Sequence, residues 1–250
     1  VFASTEFGDA VREVLVNFVL SQDVDGDGDT DLVAGNLGTN TRLQASSQAP
    51  LALFAKDFDQ NQQIAPILAF SHRGAYYPFA GRDALAKQLP KIKKKFPRYT
   101  PYARATVNDL FSPRELADAQ RLEVYELRSC YFENDGTGQF KRQPLPLRAQ
   151  VSPVSNLVGE DFDGDGRQDL LLVGNSAMAE RETGVYDAGN GVLLLGAREG
   201  AGRYVHNREH GLWASGEVRD LATLRLADGR RVLLVARNDD RLRAWVYGED

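Results

Sequence analysis

The chain has 250 residues, 42% apolar and 26% charged, with a formal net charge of −5 at pH 7. That is enough for one large domain or two small ones, with the composition of an ordinary soluble protein. The acidic balance does not favour nucleic acid, the lone Cys130 excludes an intrachain disulfide, and no apolar run has the length of a membrane span. Because the chain begins at Val1 rather than Met, it is expected to be a processed or trimmed product from which targeting information is missing.

The first informative stretch is SQDVDGDGDTDLVAGN, residues 21–36. It sets Asp23, Asp25, Asp27, Asp29 and Asp31 on alternate positions, with Gly26 and Gly28 between them, and runs straight into Leu32-Val33-Ala34. Carboxylates this close repel, so a folded loop needs a cation or full solvation. The glycines favour a cation, because they let the backbone turn tightly enough for positions 1, 3 and 5 to converge with a carbonyl at position 7. Oxygen-only donors in a flexible loop suit a hard ion, and Ca²⁺ better than Mg²⁺, which resists dehydration. An EF-hand does not fit. Its bidentate Glu at position 12 is replaced by Ala34, inside an apolar run that reads as a strand, and the last carboxylate comes at position 9.

A degenerate copy follows at residues 55–70, AKDFDQNQQIAPILAF. It keeps Asp57, Asp59 and Asn61 but has Ala65 at position 9 and Gln60 and Gln62 in place of the glycines, so it is expected to be a weak cation site or none. Residues 82–122 then break the strand rhythm and read as a helical insertion. Asp83, Thr100 and Ser112 are candidate caps, Pro101 and Pro113 sit in first turns, and Ser112 to Glu115 form a capping box. Within this insertion Lys87, Lys91, Lys93, Lys94, Lys95 and Arg98 make a basic run with Phe96 and Tyr99 interleaved. Such a run is most often a solvated helix face, and an anionic glycan or partner protein suits it better than nucleic acid.

Strand signals resume at residues 130–140, where Asn134-Asp135-Gly136 between an aromatic run and Phe140 predicts a hairpin. Residues 159–175, GEDFDGDGRQDLLLVGN, repeat the first acidic loop: Asp161, Asp163, Asp165 and Asp169, Gly164 and Gly166, and counterparts Gly174-Asn175 of Gly35-Asn36. Two matches of this length argue for a repeat rather than a chance acidic turn. Further strands are expected in 191–205 and 242–248. Between them HNREH, residues 206–210, fits the spacing of an inverted zinc-peptidase motif, but flanking glycines argue against the helix that motif needs. Residues 218–238 predict two strands joined by the plain turn Ala227-Asp228-Gly229, with no metal, and Asn175 and Asn238 lie 63 residues apart, the length of a decorated four-stranded blade.

Taken together, the Asp-x-Asp-Gly-Asp-Gly-x-x-Asp-Leu loops and the Asn134-Asp135-Gly136-x-Gly138-x-Phe140 hairpin resemble the FG-GAP or VCBS-type repeat, which builds the β-propellers of integrin α-subunits and many bacterial surface proteins. The run from Ala34 through Tyr76-Tyr77-Pro78-Phe79 to Ala103 is similar to bacterial proteins of the ASPIC/UnbV group. The resemblance implies an all-β chain, residues 1–250 forming one propeller-like repeat domain of four-stranded antiparallel blades, with residues 82–122 inserted. It implies Ca²⁺ held by Asp23, Asp25, Asp27, the Asp29 carbonyl and Asp31, and again by Asp161, Asp163, Asp165, the Arg167 carbonyl and Asp169. Three or four units fall short of seven blades, so the chain is either part of a larger propeller or a smaller assembly.

The expected function is non-enzymatic: a calcium-binding interaction or adhesion module of a secreted, cell-surface or periplasmic protein, whose partner is a protein or a glycan. Two alternatives stay open. One is a hydrolase or lyase with its site on the propeller face, an argument from fold alone. The other is nucleic-acid binding through the basic insertion, which predicts steep salt dependence.

Overall fold

The structure, a computed structural model, describes residues 16–177, 184–198 and 200–248. In chain order, β1 (Phe18–Gln22) and β2 (Asp31–Gly35) flank the first acidic loop, and β3 (Leu51–Lys56) and β4 (Ala65–His72) flank the degenerate one. After β5 (Ala75–Pro78) come five short helices, α1 (Arg82–Gln88), α2 (Lys91–Lys95), α3 (Tyr99–Tyr102), α4 (Val107–Leu110) and α5 (Pro113–Ala117). Strands β6 (Gln120–Val124), β7 (Cys130–Asn134) and β8 (Phe140–Pro144) follow; β9 (Val154–Glu160) and β10 (Asp169–Gly174) flank the second acidic loop. The remainder is β11 (Val192–Leu195), β12 (Arg203–Val205), the one-turn helix α6 (Asn207–His210), β13 (Val218–Arg225), β14 (Arg231–Arg237) and β15 (Arg243–Tyr247).

These strands make four antiparallel sheets, none closed on itself: β1-β2-β7-β8, β9-β10-β11-β12, β13-β14-β15 and β5-β4-β3-β6. The fold is therefore mostly β. The chain separates into two compact units, Leu43–Glu126 and the remainder. Sequence expects a single domain with residues 82–122 inserted; the compact unit that contains those residues runs from Leu43 to Glu126. The degenerate loop and both of its strands belong to the inserted unit, and the range expected to be helical ends in strand β6 rather than helix. The insertion falls between β2 and β7, neighbours in one sheet with Leu32 opposite Phe132 and Ala34 opposite Cys130.

In the larger unit the alternation of strand side chains builds two cores from one sheet. Strand β10 is buried along its whole length, as its unbroken Leu-Leu-Leu-Val run requires of a strand covered on both faces. Leu170 and Leu172 pack with Val33, Tyr131 and Leu157, while Leu171 and Val173 pack with Val218, Leu233 and Val235. Three sheets thus stack face to face. Each fully buried leucine contributes about 2 kcal/mol. The repeated Gly-Asn at the end of β2 and β10 has a steric reason. A Cβ at Gly174 would lie 1.7 Å from the Pro153 carbonyl oxygen, and one at Gly35 2.7 Å from Val154 Cγ1. The asparagines then tie neighbouring loops: the Asn175 Nδ2 donates to the Gly189 and Gly216 carbonyls, and its Oδ1 accepts from the Gly189 N–H.

The inserted unit has its own core of Phe54, Phe58, Ile67, Leu85, Ile92 and Phe111, with the Phe58 and Phe111 rings stacked at 4.1 Å. Its short helices are held by capping boxes at Thr106–Asp109 and Ser112–Glu115. Ser112 is the cap expected from sequence. Asp83 instead lies in the first turn of α1 and Thr100 inside α3, whose N-caps are Gly81 and Arg98.

Candidate metal centres

The two acidic loops fold identically because their side chains satisfy the same backbone donors. At position 1, Asp23 accepts from the N–H groups of Gly26 (2.8 Å) and Gly28 (3.2 Å), and Asp161 from those of Gly164 (2.6 Å) and Gly166 (3.0 Å). At position 3, Asp25 accepts from the Asp27 N–H and Asp163 from the Asp165 N–H. At position 5, Asp27 accepts from the Asp29 N–H and Asp165 from the Arg167 N–H. At position 9, Asp31 and Asp169 reach back across the loop to the N–H of Val24 (3.1 Å) and Phe162 (2.8 Å). Gly26, Gly28, Gly164 and Gly166 have φ between 81° and 99°, a region open to glycine at no steric cost.

This winding brings oxygens of Asp23, Asp25 and Asp31 within 4.8 Å of one another, and likewise those of Asp161, Asp163 and Asp169. Asp31 and Asp169 are almost fully buried, each 1% exposed. Both clusters can hold a metal ion. Asp27 and Asp165, expected among the ligands, stand outside these clusters, and Asp165 lies 3.5 Å from the Arg167 guanidinium. Asp29 and Arg167 are placed at position 7 by N–H bonds to the position-5 carboxylates.

The donor set fits a hard cation: oxygens only, three carboxylates per cluster, one of them out of solvent. Burial and repulsion from Asp31 and Asp27 push the Asp25 carboxyl above the usual range, and burial does the same at Asp169 despite its backbone hydrogen bonds. Asp29 is pushed up as well, by burial and by Asp27 and Asp31, and its Oδ1 is buried without a hydrogen-bond partner.

Supporting groups come from distant strands. The Tyr131 hydroxyl donates to Asp31 Oδ2 at 2.8 Å and reaches Asp25 at 3.4 Å, while the Asn134 N–H donates to Asp31 Oδ1 at 2.9 Å. Burial and the bond to Asp31 hold the Tyr131 phenol far above its ordinary pKa, so it remains a donor. At the second cluster the Gly196 N–H donates to Asp169 Oδ1 at 2.7 Å. Sequence reasoning missed these groups: Tyr131 lies 100 residues from Asp31, and nothing local marks β7 as the neighbour of β2. The two loops also touch through the Gln22 Nε2, which donates to Gln168 Oε1 at 2.6 Å.

The degenerate loop keeps the turn without the cluster. Asp57 accepts from the Gln62 N–H and Asn61 Oδ1 from the Gln63 N–H, as in the other loops, but the second donor to Asp57 is the Asn61 N–H at position 5 rather than the N–H of position 4. Gln60 and Gln62 carry φ of 59° and 67° where the other copies have glycine, a strain of about 1 kcal/mol each. The Asn61 amide donates to Asp59 Oδ2 at 3.3 Å, and Ala65 occupies the place of the buried carboxylate. An amide N–H takes part of the role a cation would have. With Asn61 at position 5 and Ala65 at position 9, this loop brings two carboxylates, Asp57 and Asp59, where the other copies have four or five.

His206 and His210 fall at the cap and the last residue of the four-residue helix α6, and each Nδ1 accepts a backbone N–H, from Arg208 and Leu212. They form no metal-ligating group among the described residues. Of the basic run, Lys91 is tied to Glu115 (2.5 Å) and to the Phe58 carbonyl, and Lys95 to the Leu110 carbonyl. Lys87, Lys93, Lys94 and Arg98 are exposed. No helix among the described residues is long and apolar enough to cross a membrane. Set against protein-family models, curated proteins and solved structures, the chain matches none.

Proposed function

We propose that this chain is a calcium-binding, non-enzymatic interaction module of a secreted or cell-surface protein, its stacked sheets serving as blades of a β-propeller of the FG-GAP/VCBS type. The observation that carries the reading is the pair of matched loops. Two nine-residue segments on adjacent sheets adopt one hydrogen-bond pattern and gather three carboxylates each. Calcium would be held by Asp23, Asp25 and Asp31 at one loop and by Asp161, Asp163 and Asp169 at the other. The chemistry it supplies is charge neutralisation that pins each loop to the strands beside it. Affinity on the order of 0.1–1 mM suits an extracellular pool. The face-to-face stacking of three sheets, with β10 feeding cores on both sides, supports the propeller reading.

A glycan and protein array probed with the 250-residue chain tests the functional half. Retention of at least one ligand in millimolar calcium, lost on chelation, is the expected result. Retention indifferent to calcium, or none at all, contradicts it.

A further inference from the structure

Among the described residues three of the sheets have four strands each, whereas β13-β14-β15 has three. Strand β13 is tied to β9 by the Ser155 hydroxyl, which donates to the Val218 carbonyl, and by the Asn156 amide, which donates to Asp220. Counting outward from there, β14 and β15 stand opposite β10 and β11, and nothing stands opposite β12. At that place a cleft of about 370 Å³ opens between the two sheets. Leu193 and Leu195 of β11 and Val205 of β12 form one wall, and Leu233 of β14 with Trp245 and Tyr247 of β15 the other. The cleft has the position and the apolar lining of a seat for a fourth strand.

Strand β15 is also built to accept one. Trp245 and Tyr247 turn toward the second sheet, so Ala244 and Val246 lie on the opposite face, both exposed. Beyond the pairing with β14, Arg243–Tyr247 make no backbone hydrogen bond among the described residues. Edge strands are commonly blunted by Lys, by Pro or by shortness. The edges of the complete sheets follow that rule: β8 carries Lys141, Arg142 and Pro144, β12 has three residues, and β5 has four and ends at Pro78. The Arg-Ala-Trp-Val-Tyr run of β15 has neither Lys nor Pro. Its one charge, Arg243, is exposed at the start of the strand.

We propose that β15 takes an antiparallel fourth strand from a partner polypeptide: an extended segment whose alternate aliphatic side chains enter the cleft and whose acidic C-terminal end lies beside Arg243. The backbone ladder supplies affinity and the cleft selects the side chains. The probe is the fluorescein-labelled peptide Thr-Val-Thr-Val-Thr-Val-Glu-Glu, amidated at its C-terminus. Titrated with the 250-residue chain in calcium-containing buffer and read by anisotropy, it should saturate with a Kd on the order of 50 µM. Two versions, N-methylated on the valines or on the threonines, separate strand addition from mere apolar contact, because only alternate amides of a strand face its neighbour. One should bind at least about tenfold more weakly and the other within about threefold of the parent peptide. Replacing the Glu pair by Lys should weaken binding about threefold. Val205→Trp, which fills the cleft, should weaken it about tenfold. The chain lacking residues 1–15 should bind as the parent does. Absence of saturation, equal binding of the two N-methylated peptides, or undiminished binding by Val205→Trp would overturn the proposal. So would binding that appears only without residues 1–15, which would give the seat to the chain's own N-terminal segment. A dimer of the chain that the peptide dissociates would give it to a second copy and would overturn the proposal equally. The peptide comparisons need no variant and decide the matter if Val205→Trp does not fold.

Discussion

Replacing Asp31 by alanine should destabilise the larger unit by about 3–5 kcal/mol even in metal-free buffer, because three donors lose their acceptor at once. The Val24 N–H, the Asn134 N–H and the Tyr131 hydroxyl all converge on this carboxylate, and Tyr131 is wholly buried. Each buried donor left unmade costs about 1–3 kcal/mol. Asp169→Ala loses two donors, from Phe162 and Gly196, and should cost about 2–4 kcal/mol. Asp27→Ala is the contrasting case. It removes one exposed loop hydrogen bond from the Asp29 N–H and should cost no more than about 1 kcal/mol without metal. Urea melts of the three variants check the ranking. A loss at Asp31 no greater than at Asp27 would mean that position 9 is not the anchor of the loop.

The second large effect is that of the cation. At about one hundred times Kd a ligand bound only by the folded state stabilises by about 2.7 kcal/mol per site. Two sites in one unit should therefore raise its melting temperature by about 10–20 °C over the chelated protein. The gain should depend on pH with a definite sign. In the metal-free protein the Asp25 and Asp169 carboxyls titrate above the unfolded value. Their contribution to stability is therefore full below the ordinary carboxylate range and is lost as pH rises through the raised values. Calcium requires the ionised form. The difference in melting temperature between loaded and metal-free protein should thus widen as pH rises from about 4 to about 7. A difference that is absent, or that narrows with pH, contradicts the assignment. The inserted unit behaves in the opposite sense. The Lys91 bond holds Glu115 down to about 2, and bonds from Tyr125 and Tyr76 hold Glu123 there, so its transition weakens as the pH falls below about 4.5.

What sequence revealed is what is encoded locally. The acidic loops and their strands follow from spacing, and so do the 130–140 hairpin, with Asn134 opposite Phe140, and the plain turn between β13 and β14. The helices of the inserted unit were legible, but not that the strands before and after them belong with them. Its acidic loop looks like one more copy of the series, and only the pairing of β3 with both β4 and β6 and the helix-packed core set it apart. The acidic clusters were legible in residue type but not in which carboxylates the fold gathers. Positions 1, 3, 5 and 9 read alike as aspartate, whereas the fold buries position 9, gathers 1 and 3 beside it, and leaves 5 outside the cluster. Tyr131 and Gly196 were invisible because their contribution depends on which strand lies next to which.

The count of bound ions is the decisive observation. Equilibrium dialysis of the metal-stripped chain against several millimolar calcium, read by elemental analysis, should give two ions per molecule. Asp31→Ala or Asp169→Ala should give one, and Asp57→Ala should leave the two unchanged. No calcium retained by the parent chain, or a count unaltered when Asp31 and Asp169 are both replaced, would show that the aspartate clusters are not cation sites.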